Sequence, residues 1–183
     1  MILQGEFRVA ASRETVWKYL SDLPGLAPLL PGCDVIEPAG DGPYRVAAQA
    51  KVGPIKFRLD GKLAVVESLA GESLKLRVEG QDRLTGSHLR VLMGFRLVPM
   101  SEGETEVRHS ADVAVSGRLG TIGQGIMHET VATMLEEFVR RLNARITGAP
   151  VEQTGLGVLS AKAAARSLKT GITSLLNRTE DRP

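Results

Sequence analysis

An α+β fold, in which a curved antiparallel sheet wraps around one long C-terminal helix, follows from three features of this 183-residue chain. Between Asp34 and Gly117 the hydrophobic pattern repeats every two residues, with charges at the alternate positions. Near Arg118 the period changes to 3.6 and holds until Gly148-Ala149-Pro150 stops it. Ahead of the sheet lie one alternating segment and two short helical signals.

Ile2 to Ala11 alternates through Leu3, Gly5, Phe7 and Val9 and reads as a strand. Ser12 caps the short helix that follows. Thr15 stands at the capping-box position, and Val16, Trp17 and Leu20 supply the apolar face. Asp22 to Pro31 is too proline-rich for a long helix and predicts a single helical turn closed by Pro31-Gly32. Five strands come next. Their apolar positions are Tyr44, Val46, Ala48 and Ala50; then Ile55, Phe57, Leu59, Leu63 and Val65 after the Gly53-Pro54 turn; then Leu74, Leu76 and Val78; then Leu89, Val91, Met93, Phe95 and Leu97; then Val107, Ala111, Val113 and Val115. The alternates include Arg58, Asp60, Lys62, Lys75, Arg77, Arg90, Arg96, Glu106 and Arg108, so the meander has one wet face and one face for a core. A helix of about 28 residues is predicted from near Arg118. Its stripe is Leu119, Ile122, Ile126, Thr130, Met134, Phe138, Leu142 and Ile146, flanked by Met127, Val131 and Leu135. That stripe must cover the apolar face of the sheet, which gives the helix-grip arrangement. Small inward residues (Ala48, Ala50, Gly61, Ala111) predict an unfilled volume between helix and sheet.

The domain is expected to span residues 1–147, with 148–155 as a linker and 156–178 as a basic amphipathic tail. Up to Pro150 acids and bases cancel, 18 against 18; the net charge of +2 comes from Lys162, Arg166, Lys169, Arg178 and Arg182 against Glu152, Glu180 and Asp181. Val158, Ala161, Ala165, Leu168, Ile172, Leu175 and Leu176 share one arc of a helical wheel. Such a tail fits docking on an anionic membrane or a partner, through Lys162, Arg166, Leu168, Lys169, Ile172, Leu175 and Leu176. A helix packed on its own domain, or a frayed linker, fits the same residues, and Gly157 and Gly171 weaken the helix.

Composition excludes several classes. A single cysteine, Cys33, forbids an internal disulfide and is expected to be structural rather than nucleophilic. The N-terminus lacks a basic segment before a long apolar run, so no signal peptide is expected. No stretch approaches 18 apolar residues. A cytoplasmic protein with at most peripheral membrane contact is the expectation. Balanced charge and 4 % aromatics offer no stacking platform or basic stripe for nucleic acid.

Chemistry-bearing residues are sparse. His88 falls on the charged face and His128 near the helix flank; neither has a second metal ligand at suitable spacing. Ser110 points outward and no Ser-His-Asp set is visible. His109 points inward with Val107, Ala111 and Val113. It is either a core histidine satisfied by a neighbour or a polar tip that hydrogen-bonds a ligand carbonyl or hydroxyl. Gly117, Gly120, Gly123 and Gly125 do not form a phosphate loop. They point instead to close approach of a ligand or loop, a hinge at the cavity mouth, or simple packing.

FRVAASRETVWKYLSD at 7–22, LPG at 30–32, KVGPIKFRLDGK at 51–62 and GETEVRHSADVAVSGRLGTIG at 103–123 together resemble the carbon monoxide dehydrogenase G-subunit family, within the START-like (SRPBCC) helix-grip superfamily. The resemblance covers residues 1–147, and VGPI and VSGRLGTIG are its most specific parts. It implies a non-catalytic accessory protein that brings a carbon monoxide dehydrogenase-type molybdenum hydroxylase, or a related oxidoreductase, to the inner face of the membrane, where its electrons enter the respiratory chain. It further implies a lipophilic ligand, with a respiratory quinone (menaquinone or ubiquinone) as the natural candidate and no covalent cofactor. The expected ligand contacts are Ala48, Phe57, Leu59, Leu76, Leu89, Val91, His109, Val113 and Val115 from the sheet. Ile122, Ile126 and Met134 contribute from the helix, and Leu26, Leu29 and Leu30 form a lid. A pure adaptor with a side-chain-filled interior, or a small START-like cyclase or hydrolase, are the alternatives.

Overall fold

In the computed structural model, which describes residues 1–150, the chain runs through β1 (Ile2–Val9), α1 (Arg13–Ser21), α2 (Leu23–Leu26), β2 (Cys33–Pro38), β3 (Tyr44–Val52), β4 (Ile55–Leu69), β5 (Ser73–Asp82), β6 (Ser87–Ser101) and β7 (Glu104–Ser116). A 3-10 turn (Gly117–Thr121) then leads into α3 (Gln124–Thr147). The strands form one antiparallel sheet in the order β1-β7-β6-β5-β4-β3-β2. The period-two reading is a reading of this sheet. Leu3, Ala111, Met93 and Leu76 are successive cross-strand partners on one face, as are Gly5, His109, Phe95 and Leu74.

Two corrections to the expected elements have physical causes. Cys33–Pro38 is a strand that the pattern did not announce; it pairs with the outer edge of β3, and its ladder shifts between Cys33 and Val35. The long helix is also shorter at its start. Gly117 takes φ +71°, and a Cβ there would collide with the Gly86 carbonyl, so the chain leaves β7 by folding tightly onto the β5–β6 turn. The buried Ser87 hydroxyl accepts from Leu119 N–H (2.9 Å) and from the Thr85 hydroxyl (2.8 Å), which fixes the 3-10 turn before α3 begins. At its far end α3 stops at Gly148, in the left-handed conformation (φ 72°), as the sequence predicts.

Gly117→Ala is accordingly expected to cost about 2 kcal/mol in a urea titration, from strained φ plus backbone overlap. Gly125→Ala, on α3 with open space around it, should be neutral or stabilising.

The short helices follow their caps. Ser12 Oγ accepts from Thr15 N–H (3.3 Å), and Asp22 Oδ1 accepts from Gly25 N–H (3.2 Å). Both helices cover one end of the sheet, where Val9, Val16, Leu20, Leu23, Leu76, Leu97, Val107, Phe138 and Leu142 form the larger core. A smaller core of Val52, Phe57, Leu59 and Leu119 closes the other end. On α3 the buried face contains a carboxylate. Glu137 accepts from Arg140 (2.7 and 2.9 Å) and Arg141 (2.7 Å), and Arg141 also donates to the Pro28 carbonyl (3.3 Å). Arg140 foremost, and then Arg141, hold the Glu137 carboxyl below the usual carboxylate range against the opposing effect of burial.

Candidate functional site

The space to consider lies between the two cores, under the N-terminal half of α3. The helix backbone makes its closest approaches to β1 and β3, toward the two margins of the sheet, so it bridges the curve like a bar. The inward residues of the central strands beneath it are only partly covered: Leu89, Val91 and Met93 on β6, and His109 and Ala111 on β7. On well-packed interior strands such side chains are normally fully buried. Their partial exposure marks an apolar surface that the described residues leave incompletely covered.

His109 is the polar feature of this surface. Its ring lies over Gly5, where a Cβ would stand 2.9 Å from Nε2, and 6.0 Å (centroids) from the Phe7 ring; Phe7 in turn meets Phe138 edge-on at 6.3 Å. Gly5 makes room for the imidazole, a role visible beforehand only as a glycine inside a strand pattern. Burial holds the His109 pKa below its ordinary 6.5, so at neutral pH the ring is uncharged, with one donor and one acceptor nitrogen. Among the described residues no group hydrogen-bonds either nitrogen. The neighbour that a satisfied core histidine needs is not found among the described residues.

The other expected contacts separate into groups. Ala48, Phe57, Leu59, Leu89, Val115 and Ile122 gather in or against the smaller core. Val91 and Val113 face each other across β6 and β7 on the same inner surface. Ile126 is 37 % exposed and packs toward the Gly53 turn, and Met134 is half-buried on α3. Leu26, Leu29 and Leu76 are buried in the larger core, with Leu30 packed against it. Gly61 does not open volume as its size suggested. It stands opposite Gly80, and a Cβ on it would overlap the Glu79 carbonyl, so its smallness serves a close backbone approach. Lys162, Arg166, Leu168, Lys169, Ile172, Leu175 and Leu176 lie outside the described residues.

The arrangement can hold an uncharged, largely apolar molecule and offer it one neutral imidazole. Among the described residues it does not assemble an acid–base pair around His109. Burial pushes the Cys33 thiol up to about 11, so it stays protonated at neutral pH. His88 and His128 are exposed, and no three metal-ligating side chains cluster among the described residues. No described helix is long and apolar enough to cross a membrane. A groove of about 340 Å³ lined by Arg77, Glu79, Arg90, Leu92, Asp112 and Ala114 lies on the outer face, away from this interior.

Residues 5–147 match the family model of the carbon monoxide dehydrogenase G-subunit (CoxG). No curated protein matches the chain. Among solved structures, a conserved protein from Geobacillus kaustophilus superposes with a TM-score of 0.75 at 20 % identity, covering 81 % of this chain and 96 % of the other. A START superfamily protein from Mycobacterium smegmatis gives 0.59 at 18 % identity, over 80 % and 97 %. A Thermus thermophilus protein gives 0.57 at 19 % identity, over 79 % and 99 %. These likenesses establish the START-like helix-grip fold.

Proposed function

The chain belongs to the carbon monoxide dehydrogenase G-subunit (CoxG) family, and on that footing we propose that it is a non-catalytic accessory protein carrying a lipophilic ligand, a respiratory quinone, in its interior. It docks reversibly on the inner face of the membrane and links a carbon monoxide dehydrogenase-type molybdenum hydroxylase, or a related oxidoreductase, to the respiratory chain. The observation that carries this reading is the half-covered apolar surface of β6 and β7 with His109 set in it, unpartnered among the described residues.

A quinone matches that surface in both its parts. Its ring carbonyls accept hydrogen bonds, which a neutral imidazole N–H donates. Its isoprenoid chain gains roughly 25 cal/mol for each Å² removed from water, so a few hundred Å² supports tight binding without charge. The expected tail contact suits a carrier. Each Lys or Arg near an anionic leaflet adds at most about 1 kcal/mol, so docking through residues 156–178 is weak, salt-sensitive and reversible.

Organic extraction and mass spectrometry of the purified full chain, followed by titration with menaquinone or ubiquinone, test the proposal. The expected result is a copurified lipophile or saturable binding. His109→Leu should weaken quinone binding about tenfold, the worth of one hydrogen bond to a buried acceptor, and leave binding of a plain hydrocarbon probe nearly unchanged. Absence of both copurified lipophile and saturable binding overturns it.

A further inference from the structure

The end of the sheet that carries the β5–β6 turn is built differently from the rest of the surface. At the tip of that turn Leu84 is 90 % exposed, more than any other large apolar side chain of the described residues. It is nevertheless rigidly presented. Asp82 Oδ1 accepts from Leu84 N–H (2.8 Å) and Thr85 N–H (3.4 Å), and Asp82 Oδ2 accepts from Arg58 N–H (3.0 Å), tying the turn to β4. The 3-10 turn packs on the same hairpin through Ser87 and Gly117. On another side of the same end, the Gly53-Pro54 turn meets the half-exposed Ile126 at the start of α3. The smaller core lies directly beneath this rim.

The rim is also basic. Lys56, Arg58, Arg83 and Arg118 are exposed there, and none forms an ion pair among the described residues. Elsewhere on the outer face several cations are paired, Arg45 with Glu37, Lys75 with Glu67, Arg90 with Glu79 and Arg108 with Glu106, while Lys62, Arg77 and Arg96 form no ion pair among the described residues; what sets the rim apart is four such cations gathered around one exposed leucine. Of the acids at this end, Asp82 is buried and committed to backbone N–H groups, and Asp60 stands further along β4. An exposed leucine on a fixed turn, ringed by unpaired cations, is complementary to a surface that is anionic outside and apolar a few ångströms in.

We infer that this rim is a docking face of the folded domain for an anionic bilayer, with Leu84 entering the headgroup region and Arg83, Arg58, Lys56 and Arg118 meeting lipid phosphates. The inference deepens the carrier reading and rests on it for its purpose: docking here turns the end of the interior toward the membrane.

The test uses the full chain and vesicles of phosphatidylcholine with or without phosphatidylglycerol. Leu84→Asp and Arg83→Glu should each lower affinity for the anionic vesicles about tenfold, more than Arg90→Glu at a paired cation of the outer face. Since Leu84 is solvent-exposed, its replacement should leave the urea midpoint unchanged. Leu84→Trp supplies a second reading: the added indole should be quenched by brominated lipid, while Trp17, in the larger core at the opposite end, should not. Vesicle binding that is insensitive to Leu84 and Arg83, or an added indole that escapes quenching, overturns the docking face. Quinone titration in the same variants without vesicles keeps the two proposals separate. Rim-dependent docking with no ligand binding would sink the carrier and leave the docking face standing.

Discussion

Asp82→Ala is expected to destabilise the domain by about 3 kcal/mol at pH 7, read as a lowered urea midpoint with unchanged slope. The carboxylate is 3 % exposed and accepts from three backbone N–H groups, of Arg58, Leu84 and Thr85. Alanine leaves these donors without their partner, and a hydrogen bond to a charged group is worth about 1.5–3 kcal/mol. Asp82→Asn keeps one acceptor oxygen and should lose roughly half as much. Burial pushes the Asp82 carboxyl up, but the three backbone donations and the Thr85 side chain outweigh it, so the folded-state pKa lies below the ordinary 3.8. A group depressed in the folded state contributes stability that is complete above its unfolded pKa and is lost as pH falls through the folded one. The gap between the parent and Asp82→Ala should therefore be constant from pH 7 down to about 5 and shrink below 3.8. A gap that stays constant down to pH 2 would show that the side chain acts by packing alone. Because the same carboxylate holds the turn bearing Leu84, the variant should also weaken vesicle docking.

The sheet was legible in the sequence because it has one wet face. Arg58, Lys75, Arg90 and Arg108 alternate with Phe57, Leu76, Val91 and Val107, and a one-residue slip would bury those charges. β2 was not legible: Cys33–Pro38 is short and flanked by Gly32 and the turn before Tyr44, and its identity as a strand comes from the edge of β3 that it joins. The start of α3 was misplaced because the apolar steps from Leu119 continue the helical period, while the contact that breaks it, Gly117 on Gly86, joins residues distant in sequence. Glu137 was missed for a similar reason. Beside Glu136 it looks solvated, and its burial depends on Arg141 reaching the Pro28 carbonyl. The inward direction of His109 followed directly from strand parity. That Gly5 frees space for its ring required the β1–β7 register, a pairing between the first and last strands that no local pattern encodes.

Whether the surface beneath α3 is a binding space or a filled core is decided by a crossed pair of substitutions. Ala111 lies between Leu3 and Met93 on the inner face and is only partly covered. If the volume above it holds a ligand, Ala111→Phe has room for its ring. Stability then changes by less than about 1 kcal/mol, while quinone affinity falls about 100-fold as the ring occupies the ligand's place. Leu142→Ala does the reverse. Leu142 is fully buried in the larger core, one helical turn beyond Phe138 toward the C-terminal end of α3, and its truncation should cost about 3 kcal/mol while leaving the quinone dissociation constant within about twofold. In a filled interior, the adaptor alternative, Ala111→Phe instead overpacks and costs about 1–3 kcal/mol, with no ligand affinity to lose. The two outcomes differ at both readouts: room for a phenyl ring and loss of a ligand occur together only if the space between the cores is one that the chain keeps open for something else.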